Sequence, residues 1–205
     1  MEEQAKKIKE KAMVIAYPLH GSLYLNITNR CPNACRFCIR NSEQGVGYNL
    51  WLEKEPEVEE IIKAIGDPSE YHEVVFCGYG EPLMRPDEIV AVSRWLKNYP
   101  IKVRINTNGL ADLFLGYDVL PQLKGLIDTI SISLNAHNTE TFMDLTRSKY
   151  GQAAFGAVLD FTKRSLLYIP RVILSVVSYP GVNIEKAASI AKDLGVEFRM
   201  REFME

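Results

Sequence analysis

Short apolar runs recur along the chain, each followed by a stretch of helical periodicity. The runs Ser22 to Thr28, Glu73 to Cys77, Ile101 to Ile105, Asp128 to Leu134, Val172 to Val177 and Val196 to Met200 are rich in Val, Ile and Leu and predict six strands. Between them, Pro56 to Ile65, Pro86 to about Asn98, Leu120 to Leu126, Thr139 to Tyr168 and Ile184 to Leu194 space their apolar residues as helices do. The fourth of these is broken near Lys149-Tyr150-Gly151, and Gly66-Asp67-Pro68 and Gly195 are stop signals. Residues 1–13 read as a charged helix or frayed tail, and residues 41–52 as an irregular connection.

Strands alternating with helices imply parallel βα units joined by right-handed crossovers. Six units are too few to close an eight-fold barrel, so the expected fold is an open, partial (β/α)6 TIM-like barrel. One domain over residues 1–205 is expected, with 1–20 as an N-terminal extension and 21–205 as the partial barrel.

Composition narrows the function classes. Lys and Arg total 24 against 26 Asp and Glu, a net charge of −2, which gives no electrostatic ground for a nucleic-acid surface. No run of about 18 apolar residues is present to span a membrane. The mixed charges of Met1 to Lys7 lack the apolar stretch of a secretory signal. A cytoplasmic location is expected. Of four cysteines, three lie within the eight residues Cys31 to Cys38, a poor disulfide framework but a good metal-binding loop.

Polar and Gly-rich residues collect after the strands, where parallel α/β folds place ligand sites. Strand one leads to Cys31-Pro32-Asn33-Ala34-Cys35-Arg36-Phe37-Cys38, and strand two to Gly78-Tyr79-Gly80-Glu81-Pro82. Strand three leads to Asn106-Thr107-Asn108-Gly109, strand four to Ser133 and Asn135, and strand five to Ser178. Three thiolates can hold three corners of an iron–sulfur cubane and leave one iron open, since clusters normally take four Cys. The competing readings are a zinc site completed by His20, His72 or His137, and a redox sensor. Cys77 reads as a small buried hydrophobe, so no auxiliary cluster is expected. Arg147 is either a solvated helix-end charge or a clamp for a carboxylate or phosphate.

The C-x3-C-x2-C loop with Phe37 before its last Cys, followed one βα unit later by Gly80-Glu81-Pro82, resembles the radical S-adenosylmethionine (SAM) superfamily. The resemblance implies a [4Fe–4S] cluster on Cys31, Cys35 and Cys38 whose open iron chelates SAM. It also implies a flavodoxin- or ferredoxin-like electron donor, and a 5′-deoxyadenosyl radical that takes hydrogen from a substrate. By the same resemblance, Tyr79, Gly80, Glu81 and Pro82 receive the SAM ammonium group through backbone and carboxylate, and Phe37 packs beside adenine. Asn106, Thr107, Ser133, Asn135 and Ser178 hold the methionyl carboxylate and ribose. Tyr79 stands where the family's first Gly usually is, which is strained if its φ is positive. More narrowly, Val75 to Pro82 and Asn135 to Gly151 look like the small radical SAM proteins linked to TatD nucleases. The substrate is left open between a protein, as for glycyl-radical activases, and a small molecule under the cover of a homodimer partner.

Overall fold

In the computed structural model, residues 13–42 and 45–203 are described, so the predicted helix over 1–13 lies almost wholly outside them. Strands β1 (Ala16–Leu19), β2 (Ser22–Leu25), β3 (Glu73–Phe76), β4 (Lys102–Thr107), β5 (Thr129–Ser133), β6 (Arg171–Val177) and β7 (Glu197–Arg201) form a single sheet. They lie side by side in chain order. From β2 to β7 every pairing is parallel, and the expected open (β/α)6 barrel is found.

The sheet has seven strands rather than six. β1 pairs antiparallel with β2 through a tight turn at His20 and Gly21, which have φ 51° and 75°. This is the both-positive backbone that two-residue hairpins favour. Ala16-Tyr17-Pro18-Leu19 is short and carries a proline, so it reads poorly as a strand; an edge position tolerates that proline. Residues 16–19 therefore belong to the sheet and not to an N-terminal extension.

The helices are α1 (Val58–Ile65), α2 (Pro86–Leu96), α3 (Ala111–Leu115), α4 (Leu120–Leu123), α5 (Thr139–Thr146), α6 (Ala153–Ser165) and α7 (Ile184–Asp193). Short α3 was not expected. The periodic stretch from Thr139 breaks earlier than predicted, at Arg147, whose φ of 46° ends α5 in a left-handed cap.

Along each strand the two faces differ. Leu23 and Leu25, Val74 and Phe76, Val103 and Ile105, Ile130 and Ile132, and Val172 and Leu174 join one buried cluster with Ile61, Ile89, Leu96, Phe142 and Phe161 of the helices. Each such fully buried side chain contributes about 1.5–3 kcal/mol of burial. The alternate positions face the concave side and are mostly polar: Arg104 there pairs with Glu73 at 2.8 Å and reaches Tyr24 and Asn106. Stability comes from the convex face, leaving the concave face for chemistry.

Candidate active site

The Cys loop leaves β2 and crosses to the C-terminus of α5. Ala34 N donates to Thr146 O at 3.0 Å, Arg36 N to Leu145 O at 2.9 Å, and Lys149 N to Pro32 O at 3.1 Å. Arg36 adds a bond to Asp144 O at 3.0 Å and an ion pair with the Asp144 carboxylate. The last carbonyls of a helix have no partner within it; here three of them, of Asp144, Leu145 and Thr146, hold the loop, and the helix stops where they do so. The base of the loop is fixed by buried Arg85, which donates to Ile27 O at 3.0 Å and Pro56 O at 2.7 Å and pairs with Glu88 at 2.6 Å. Glu55 ties Thr28 to Arg30 alongside.

All three loop cysteines are free and partly exposed. Burial, then the Glu81 charge, pushes the Cys31 thiol up to about 11. Burial, then Cys38 and Cys31, pushes Cys35 up to about 12. Cys31 and Cys35 thus keep their protons until a cation takes their place. Two carry a further donor. Arg40 Nε donates to Cys38 Sγ at 3.4 Å, and Asn108 Nδ2 to Cys31 Sγ at 3.8 Å. Cavities of about 390 Å³ and 520 Å³ flank the loop and share Ala34 and Arg147.

Three closely spaced thiols are a donor set for an iron–sulfur cluster with one iron left open. A single zinc needs every sulfur within about 2.3 Å of one point, yet among the described residues no three His, Cys, Asp or Glu side chains converge on an ion. His72 abuts Gly21, the residue after His20, in the β1–β2 turn at the N-terminal end of the barrel, away from the loop. His137 accepts from Asn183 N at 3.2 Å, at the start of α7. None of the three completes a zinc site with the cysteines.

The bend after β3 lies against the base of the same loop. A Cβ on Gly78 would stand 2.1 Å from Asn26 Oδ1, and one on Gly80 2.3 Å from Thr28 O, so only glycine fits at both. Between them Tyr79 keeps an ordinary backbone, and its ring packs edge-on to Trp51 at 5.2 Å. Tyr79 N donates to Asn26 Oδ1, while among the described residues no protein donor meets the carbonyls of 78–80.

Two expectations need correction. Glu81 is buried, and its carboxylate does not face the mouth: it accepts from Thr107 Oγ1 at 2.7 Å, Leu83 N at 3.1 Å and Asn108 N at 2.6 Å. Burial pushes it up to about 7 against those three donors. Thr107 is likewise buried, its hydroxyl spent on Glu81 and on Gly109 N. It stands on the convex parity of β4 with Val103 and Ile105, whereas Asn106 stands on the concave side with Arg104. Pro82 is buried at the start of the turn that Glu81 caps.

Around the rest of the mouth, Ser133 Oγ and Asn135 Oδ1 both accept from Arg201 Nη2 at 3.3 Å. Asn135 takes φ 55°, which Asn tolerates. Phe37 packs on Tyr179 at 5.5 Å, and Tyr179 meets Phe203 edge-on at 4.9 Å. Ser178 accepts from Phe203 N at 3.2 Å, stitching the β6 and β7 ends together. Cys77 lies on the concave side, on the same strand face as Glu73, and not among the apolar core. Asn108 lies within the stretch noted after strand three but was not singled out, and Arg40 and Arg201 went unremarked. Arg40 adjoins the Cys loop, but nothing in the sequence ties Arg201 to Ser133.

Residues 25–194 match the radical SAM superfamily. The chain belongs to that superfamily. That superfamily works with a [4Fe–4S] cluster, SAM and an electron donor. The chain is 28% identical over 193 residues to GTP 3′,8-cyclase of Limosilactobacillus fermentum, covering 91% of this chain and 55% of that one. It is 34% identical over 145 residues to probable GTP 3′,8-cyclase of Saccharolobus islandicus, covering 70% and 43%. It spans about half the length of the curated relatives it matches. The fold is similar to that of methylornithine synthase, with TM-score 0.54 and 16% identity over 97% of this chain and 57% of that one. It is also similar to the hydrogenase maturase HydG, with TM-score 0.59 and 18% identity over 98% and 46%. Among the described residues, no helix is long and apolar enough to cross a membrane.

Proposed function

We propose that Cys31, Cys35 and Cys38 hold a [4Fe–4S] cluster, that SAM lies between it and the strand ends, and that the enzyme abstracts hydrogen from a substrate in the concave mouth. The observation that carries this is the loop itself, three free thiols strapped between β2 and α5 beside the Gly78–Gly80 bend. The chemistry supplied by the bound pair is reductive cleavage of SAM to methionine and a 5′-deoxyadenosyl radical. The chain's own residues bind and orient. The bend's unclaimed carbonyls, from Gly78 through Tyr79 to Gly80, accept the ammonium group. Glu81 and Pro82 hold that bend from behind, Glu81 by fixing the Asn108 backbone. Phe37, backed by Tyr179, packs on adenine. Asn106, Ser133, Asn135 and Ser178 supply rim hydrogen bonds, with Asn108 in the place expected for Thr107.

Residues 16–203 act as one domain, drawing electrons from a flavodoxin- or ferredoxin-like donor in the cytoplasm. The segments Val75 to Pro82 and Asn135 to Gly151 support a place among the small radical SAM proteins linked to TatD nucleases. A protein or a small molecule, the latter beneath a second copy of the chain, fits the open mouth.

The test is anaerobic reconstitution with iron and sulfide, dithionite reduction and addition of SAM. A reduced paramagnetic signal that shifts with SAM, and release of 5′-deoxyadenosine, are expected, and both are lost in Cys35→Ala. Stoichiometric zinc with no cluster and no SAM cleavage overturns the reading.

A further inference from the structure

The charges on the concave face balance at its base and not at its mouth. Arg104 pairs with Glu73, Arg171 with Glu197, and Lys102 with Asp128. On β7, Phe198 packs into the convex core, so Glu197, Arg199 and Arg201 share the opposite, concave face. Among the described residues neither Arg199 nor Arg201 forms an ion pair; Glu197, the acid within reach of Arg199 on its strand, is itself paired with Arg171.

Arg201 is the sharper case. One nitrogen, Nη2, serves two neutral oxygens, Ser133 Oγ and Asn135 Oδ1, both at a long 3.3 Å. A guanidinium has five donor hydrogens in a planar fork matched to carboxylate and phosphate, so most of the fork is unclaimed. The side chain is exposed to solvent at the rim of the mouth. Another arginine stands two residues along, so among the described residues two guanidinium groups without a carboxylate partner share one strand face.

We propose that Arg199 and Arg201 form an oxyanion site on the concave face of β7 and that it seats a phosphate or carboxylate group of the substrate. The word substrate rests on the radical reading above; the anion site itself does not. Residues two apart on one strand face stand about 6.6 Å apart, a span that favours two linked anionic groups, as in a diphosphate, over a single carboxylate. The methionyl carboxylate of SAM is a second source of the same chemistry. It shares a carbon with the ammonium group, however, and the bend proposed for that group follows β3, four strands round the sheet from β7.

The probe is inorganic pyrophosphate, followed by anaerobic equilibrium dialysis against the reconstituted protein, with cluster content monitored. Wild type should bind it with an affinity that falls as salt rises. Arg201→Gln should weaken binding at least tenfold, Arg201→Lys should fall between, since it keeps charge without the fork, and Arg199→Gln should weaken it while the SAM-induced shift of the reduced signal still saturates at the wild-type SAM concentration. No binding by wild type, or equal binding by Arg201→Gln, overturns the site. Unchanged pyrophosphate binding with weakened SAM saturation in Arg199→Gln assigns the arginines to the SAM carboxylate and overturns the substrate claim. Pyrophosphate binding without 5′-deoxyadenosine release preserves the anion site and removes the radical reading; the reverse pattern removes only the site.

Discussion

Asn108 Nδ2 points at Cys31 Sγ across 3.8 Å, joining the end of β4 to the first cysteine of the loop. Arg40 makes the matching contact to Cys38 at 3.4 Å, its Nη1 braced on Asn29 O. Hydrogen bonds to cluster sulfurs raise the reduction potential. Arg40→Met and Asn108→Ala should therefore each lower the midpoint of the reconstituted cluster, by up to about 59 mV for a tenfold change in the one-electron equilibrium. The larger effect is expected for Arg40, which brings a charge. Potentiometric titration read by electron paramagnetic resonance measures it; an unmoved midpoint in both variants removes the tuning role.

Glycines of this chain should respond in opposite directions to an added methyl group. Gly80→Ala would drive Cβ to 2.3 Å from Thr28 O and 2.7 Å from Arg30 O, both backbone atoms. Overpacking costs about 1–3 kcal/mol, or roughly 2–4 °C of melting temperature per kcal/mol at this size, and SAM affinity should fall with it. Gly156, inside α6, has open space around the same position. Gly156→Ala should raise the melting temperature through helix propensity, by up to about 1 kcal/mol. A neutral Gly80→Ala would show that the bend can move away from the loop.

Glu81 makes stability depend on pH. Its folded value, about 7, lies above the ordinary 4.5. A carboxyl that binds its proton more tightly when folded stabilises the fold below the unfolded value, and that contribution is lost as pH rises from about 4.5 to about 7. Urea midpoints of the metal-free protein should fall across this window, and in Glu81→Gln the fall should be smaller. The variant should also be less stable at every pH, because an amide cannot accept from all three donors. Identical pH profiles would mean Glu81 is ionised throughout.

Arg85→Met tests the footing of the loop. The side chain is buried, and its loss leaves Ile27 O, Pro56 O and Glu88 without a partner. Breaking such a buried pair costs about 3–5 kcal/mol. Denaturant unfolding should show it, and cluster retention should drop in parallel. A variant that melts normally and keeps its iron would place the loop's anchorage wholly at α5.

The strand–helix alternation and the chemistry of each strand end were legible because apolar periodicity and clustered thiols are local signals. β1 was not, since Pro18 and a length of four residues mask an edge strand. The break at Arg147 was placed a few residues late because its cause is remote: Thr146 O and Leu145 O are claimed by a loop more than a hundred residues earlier. The inward turn of Glu81 and the choice of Asn108 over Thr107 depend on side-chain direction at a strand end, where one residue's shift exchanges faces. Arg201 is legible only once β7 lies beside β6, bringing it within reach of β5.

The strands carry two messages on one backbone. Their convex residues hold the helices, and their concave residues, Ser133, Asn106, Arg199 and Arg201 among them, contribute little to that packing. Exchanging a concave residue should cost little in folding, so such a sheet can drift from one substrate to another by single substitutions without first acquiring a reserve of stability. The loop at its rim is less free, since Cys31 to Cys38 is held at both ends.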